Sequence, residues 1–182
     1  MGAGRVAAAV VTIGVAGAVA GCGGSSSTTP QTQTQTVVTQ QQGSAPSKSA
    51  YINEVDAICA TYAPQGQGLE QEIQKIGQPQ TNAEAHNLAD LYRQAAKVAA
   101  AEDQQIRSVT PPTGDESIIN NWISIRDTGI SLLRDVAGAV DAAKGTNGPQ
   151  LQTLAKKVSS NTDKWKGIAQ GYGFKVCGSN TG

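Results

Sequence analysis

The chain offers few residues suited to chemistry. Its 182 residues hold three cysteines, at Cys22, Cys59 and Cys177, and one histidine, His86. Cys59 and Cys177 are too far apart for a catalytic C-x-x-C pair, and two thiols with one imidazole do not make a four-ligand metal set. No H-E-x-x-H or G-x-S-x-G run occurs. His86 falls in the first turn of an expected helix, one position off its apolar stripe, which suits a solvated or capping side chain. Glu102 is the one acid placed on a helical seam, between Val98/Ala99 and Ile106. A ferritin-like carboxylate centre needs Glu-x-x-His on inward faces, so Glu102 is expected at the edge of a bundle. Asp56, three residues before Cys59, is expected on the solvent side. Gly2-Ala3-Gly4-Arg5-Val6-Ala7 matches G-x-G-x-x-A but follows no strand, and the stretch from Gly43 to Ser49 lacks the second glycine of a P-loop. No catalytic residue, cofactor or metal ligand is assigned.

Cys22 is the exception, because of what precedes it. Arg5 supplies a short positive start. Val6 to Ala20 is an unbroken run of Ala, Val, Gly, Ile and one Thr. That run has the length of a signal h-region and is too short to cross a bilayer as a helix. It ends in small residues, as a cleavage site requires. Val19-Ala20-Gly21-Cys22 resembles the bacterial lipobox, with Val19 in place of the commoner Leu. The resemblance implies residues 1–21 as a lipoprotein signal peptide, a diacylglycerol thioether on the Cys22 sulfur, and acylation of the new amino group. Two or three acyl chains anchor stably where one binds marginally. The alternative is an ordinary secretory signal with an incidental cysteine.

Residues 22–48 read as a tether rich in Ser, Thr and Gln. Such a composition buries too little apolar surface to offset its ordering entropy. Its reach is roughly 85–90 Å at full extension, and roughly 30 Å as a coil.

Residues 49–182 are sized for one domain. Charge is balanced: 14 basic residues less Arg5 leave 13 against 14 acids in the mature chain, net −1. That opposes a general nucleic-acid binder. Apolar residues recur at spacings of three and four with no two-residue alternation, which predicts an all-α domain. Helix one is expected over 50–76, with the seam Ile52, Val55, Cys59, Tyr62, Gly66, Leu69, Ile73, Ile76; Pro64 leaves open a break into two shorter helices. Helix two starts at the capping box Thr81-Asn82-Ala83-Glu84 and ends before Pro111-Pro112. Helix three is expected to repeat that device at Thr113-Gly114-Asp115-Glu116, with the stripe Ile118, Trp122, Ile125, Gly129, Leu132, Val136, Val140 and an end at Lys144-Gly145. Helix four begins at Pro149, faces Leu151, Leu154, Val158, Trp165 and Ile168 inward, and ends at Gly171. Short connections predict an antiparallel up-down-up-down four-helix bundle, Ala-rich and aromatic-poor in its core.

An exported chain with two cysteines left after Cys22 is expected to oxidise them. The up-down-up-down order puts the start of helix one beside the end of helix four, so a Cys59–Cys177 disulfide is expected. Ile58-Cys59-Ala60, Pro111-Pro112, Trp122 and Gly173-Phe174-Lys175-Val176-Cys177-Gly178 resemble a group of small exported actinobacterial lipoproteins over most of residues 50–178. That resemblance implies a fold and an address and carries no chemistry.

Charge segregates along the chain. Ala50–Gly77 holds Glu54, Asp56, Glu70 and Glu72 against Lys75, net −3, whereas Leu151–Gly182 holds five lysines against Asp163, net +4. Complementary flanks of neighbouring helices would account for this. The sharper alternative is a basic stripe of Lys156, Lys157, Lys164 and Lys166 that touches anionic lipid or wall polymer. The function expected is that of a membrane-anchored cell-envelope lipoprotein, held on the extracytoplasmic face by lipid on Cys22. Its helical domain is then a non-enzymatic module binding an envelope protein or wall polymer. The alternative is a carrier of a small or apolar ligand in the bundle core, suggested by Gly66 and Gly129 thinning it.

Overall fold

The computed structural model describes residues 45–143 and 148–179. The expected signal peptide, Cys22, nearly all of the tether and the stop at Lys144-Gly145 lie outside the described residues. Four helices pack against one another, and no strand occurs among the described residues. In chain order they are α1 (Lys48–Ile76), α2 (Asn82–Ser108), α3 (Glu116–Ala143) and α4 (Pro149–Tyr172).

Helix α1 begins at Lys48, two residues before the expected start, because Ser47 caps it. The Ser47 hydroxyl accepts from the Ala50 N–H at 3.2 Å, and its carbonyl accepts from the Tyr51 N–H at 3.0 Å. The helix runs unbroken through Pro64. Proline removes only the bond to the Ala60 carbonyl, and the apolar seam continues on both sides of it. Gly77, at φ 55°, ends the helix by donating to the Ile73 carbonyl.

Helix α2 carries the expected capping box. The Thr81 hydroxyl accepts from the Glu84 N–H, and the Glu84 carboxylate accepts from the Thr81 N–H, both at 3.1 Å. A cap of this kind contributes about 1 kcal/mol.

Helix α3 departs from expectation at its start. Thr113 caps nothing; the helix begins at Glu116, and the Asp115 carbonyl accepts from the Ile119 N–H at 3.1 Å. The Glu116 carboxylate turns back to the Gly114 N–H at 2.7 Å, while the Asp115 carboxylate is taken by the Tyr172 hydroxyl. Of the expected stripe, Trp122, Val136 and Val140 are buried, and the departure is at its other positions in the first half of the helix. Ile118 is 41% exposed, and Ile119, Ile123 and Ile130 face inward alongside Trp122.

Helix α4 opens with Gly148 at its cap and Pro149 where no donor is missed. It ends at Gly173, two residues beyond the expected Gly171. Gly173 takes a left-handed conformation at φ 115°, and the Phe174 N–H bonds the Ala169 carbonyl at 3.0 Å. The chain then turns back towards α1, and Cys177 is disulfide-bonded to Cys59 with Cα atoms 5.4 Å apart.

Asp56 is buried, against expectation, and that turned-back tail is the reason. Its carboxylate accepts the backbone N–H groups of Lys175, Val176 and Cys177 at 2.8, 3.0 and 3.0 Å. Three donors converging on one carboxylate compensate its loss of water.

Two apolar clusters hold the helices. One joins the first half of α1 (Tyr51, Val55, Cys59), the end of α2 (Ile106), the start of α3 (Ile119, Trp122, Ile123), the end of α4 (Ala169, Tyr172) and the tail. The other joins the start of α2 (Ala85, Leu88, Ala89), the end of α3 (Val136, Ala137, Val140) and the start of α4 (Leu151, Leu154), with Ile73 and Ile76 of α1 against it. The first cluster gathers four of the chain's seven aromatic rings. Trp122 stacks on Phe174 at 4.8 Å, Tyr172 lies 5.1 Å from Phe174, and Tyr51 meets Tyr172 edge-on at 6.2 Å. Such pairs are each worth about 0.5–1.5 kcal/mol beyond the area they bury. The core is therefore aromatic at one end and Ala-rich at the other. Ion pairs between α2 and α3, such as Arg107–Asp127 and Arg93–Asp141, lie at the surface and contribute little.

Candidate functional site

Helix α1 packs on α2, α2 on α3, and α3 on α4, whereas α1 and α4 make no close backbone approach among the described residues. Between the two clusters this leaves a cavity of about 220 Å³ with walls from all four helices. Tyr62, Ala63 and Gly66 line it from α1, Val98, Ala99, Glu102 and Asp103 from α2, Arg126, Gly129 and Ile130 from α3, and Val158, Asn161 and Trp165 from α4. Cys59, one half of the disulfide, lies in the wall as well.

The two glycines do different things. A Cβ on Gly66 would meet nothing within 4 Å, so its missing side chain is open volume. A Cβ on Gly129 would sit 2.7 Å from the Asn161 side-chain oxygen. Gly129 is thus the place where Asn161 comes close to α3, and Asn161 donates its Nδ2 to the Ile125 carbonyl at 2.9 Å. That contact ties α4 to α3 and leaves α1 as the separated wall.

The polar side of the cavity is one guanidinium between two carboxylates. Arg126 Nη2 pairs with Glu102 at 3.0 Å, and its Nε donates to Asp103 Oδ1 at 2.5 Å. The three side chains are 9%, 15% and 3% exposed. Burial works against the Arg126 charge, but the two carboxylates more than offset it and hold the guanidinium protonated. Burial raises both acids above the ordinary carboxylate range, and Arg126 only partly reverses this. Asp103 Oδ2 is buried with no hydrogen-bond partner among the described residues. Arg126 also lies over Trp122 and Trp165, 5.2 and 5.4 Å from the ring centres.

The residues singled out from sequence scatter around this site. Glu102 is in it, as part of the ion-paired triad rather than at a solvated edge. His86 is 67% exposed and pairs with Asp141 at 2.8 Å. Lys156, Lys157 and Lys164 are exposed on α4, and Lys166 is half-buried with its Nζ 5.6 Å from the Trp165 ring. Cys22 is outside the described residues. Arg126, Asp103 and Asn161 were not expected at the core, although each falls on an inward seam of its helix.

No group of three or more His, Cys, Asp or Glu among the described residues is arranged to hold a metal ion. Tyr51 is raised to about 12 by burial and then by the Glu54 charge, and Tyr172 is raised by burial and its bond to Asp115, so both stay protonated near neutrality. No described helix is long and apolar enough to cross a membrane. No protein family, curated protein or solved structure matches this chain.

Proposed function

We propose that this chain is a lipid-anchored cell-envelope protein whose helical domain is a non-enzymatic binding module, with the cavity between α1 and α4 as its binding site. The observation that carries the binding reading is the cavity itself: mainly apolar walls, an open volume at Gly66, and a small polar side. Binding sites for small molecules have this composition. The alternation of the two clusters along successive helices supports the up-down-up-down order, in which α1 and α4 are neighbours.

The ligand reading is tested by Gly66→Leu. Leucine suits a helix better than glycine and enters empty space, so the variant should be at least as stable as the parent. Native mass spectrometry of protein taken from membranes should show a bound small molecule that Gly66→Leu no longer carries. A ligand retained at full occupancy by the variant would place it elsewhere.

The anchor rests on Val19-Ala20-Gly21-Cys22 and is supported by the disulfide, which belongs to oxidising compartments outside the cytoplasm. Cys22→Ser should leave a chain that takes up no fatty acid and is lost from the membrane fraction. Continued fatty-acid labelling would end the lipoprotein reading. The lysines of α4 are where an anionic lipid or wall polymer would touch the domain. Exposed charges are screened beyond about 8 Å at physiological salt, so binding of the Cys22→Ser chain to anionic vesicles should be weak and salt-sensitive. Binding that is unchanged when Lys156, Lys157, Lys164 and Lys166 become Gln would have another source.

A further inference from the structure

The chemistry of the cavity's polar side narrows the ligand, an inference that rests on the binding reading above. We propose that the cavity takes a small amphiphile with a protonated amine: an apolar body of about phenyl-and-two-carbon size, and an ammonium head set against Glu102 and Asp103.

Size comes first. A dry apolar cavity of about 150 Å³ accommodates benzene, so about 220 Å³ admits a ring with a short chain. Apolar residues of all four helices provide the walls for that body.

Charge decides the head. Glu102 and Asp103 share one guanidinium, so the ionised triad carries one uncompensated negative charge. Arg126 already spends Nε on Asp103 and Nη2 on Glu102. Asp103 Oδ2, inside the buried wall, has no donor among the described residues. A buried acceptor without a donor is costly to leave. An ammonium brings three N–H donors and the missing positive charge. A carboxylate would add a third anion beside two, and an alcohol brings one donor and no charge.

Three probes of one skeleton test this: phenethylamine, phenethyl alcohol and 3-phenylpropanoate, titrated calorimetrically into the full chain in lipid nanodiscs. Phenethylamine should bind at least tenfold tighter than phenethyl alcohol, with 3-phenylpropanoate weakest. Glu102→Gln should cost the amine at least tenfold and leave the alcohol unchanged, and Gly66→Leu should abolish both. The comparison of heads on the unaltered chain decides the matter even where Glu102→Gln folds poorly. Equal binding of the three probes, or tightest binding of the carboxylate, overturns the amine proposal and leaves the binding cavity standing. Binding of none of them overturns both.

Discussion

Replacing Arg126 by Met should destabilise the domain by about 3–5 kcal/mol at neutral pH, the usual cost of removing one partner from a buried ion pair. Folded domains have about 5–15 kcal/mol in all, so this variant should lie close to unfolding at physiological temperature. The cause is what remains. Without the guanidinium, Glu102 and Asp103 stand side by side in a buried wall with no cation, and the variant also loses the contacts over Trp122 and Trp165. Acid should soften the loss, because the two carboxyls can then take up protons. Replacing all three at once, Arg126→Met with Glu102→Leu and Asp103→Leu, should recover most of the stability, since a well-packed apolar replacement for a buried ion pair is often neutral or better. The three substitutions should therefore be far from additive. Urea denaturation of the single and triple variants decides it. A cost below about 1 kcal/mol for Arg126→Met would mean that water already solvates the guanidinium.

The same triad sets a pH dependence. Both acids have folded pKa values above their ordinary ones. Between the ordinary and raised values the folded state binds more protons than the unfolded state, so stability falls as pH rises through that window. Glu102→Gln should flatten the fall. Asp141 acts in the opposite sense: Arg93 holds its carboxyl below the usual range, so its contribution is present above the ordinary carboxylate pKa and is lost as pH falls through the lowered value. That pair is largely exposed, and its effect is screened and small.

The fold was legible wherever one residue type has one use. The helix count, the Thr81 cap, Pro149 at a helix start and the cysteine pair all follow from local rules, and each holds in the structure. The cavity was half legible. Gly66 and Gly129 both line the cavity, although only Gly66 leaves open volume and Asn161 fills the space at Gly129; the residues that give the cavity a polar side are hidden when seams are read from apolar residues alone. Arg126 occupies an inward position between Ile123 and Ile130. Read from apolar residues alone, the stripe of α3 takes Trp122, Val136 and Val140 rightly but passes through Ile118 and Ile125, each one position from the inward Ile119 and Arg126. Asp103 was lost in the same way beside Glu102, and Asn161 lies three or four residues from Val158 and Trp165 on the seam of α4. Asp56 shows the other limit. Its partners are three backbone N–H groups more than a hundred residues away, and backbone donors leave no mark in a sequence. The cap at Thr113 failed because the helix starts later, at Glu116, whose carboxylate turns back to the Gly114 N–H rather than to Thr113.

Reduction of the Cys59–Cys177 bridge should lower the melting temperature by about 10 °C. The bridge closes a separation of 118 residues. In the chain-entropy model a loop of that length is worth up to about 5 kcal/mol, and about 2–5 kcal/mol is typical for removing a native bridge. For a domain of this size each kcal/mol moves the melting temperature by several degrees. The position of the bridge matters as much as its loop. Helices α1 and α4 do not approach each other closely along the cavity, so the tail that follows α4 joins them at one end, through the disulfide and through Asp56. Asp56 accepts from Cys177 itself and from the two residues before it, so the reduced tail should stay partly docked and the reduced domain should still fold. Cys59→Ser and Cys177→Ser should be equally damaging, and the double variant no worse than either, because all three remove the same bond. Adding Asp56→Ala to reduced protein should then release the tail and free the Cys59 wall of the cavity from it. Thermal melts with and without reductant, paired with hydrogen exchange at residues 174–177, measure both steps. A melting temperature indifferent to reductant would show that Asp56 and the aromatic cluster alone hold α1 to the tail.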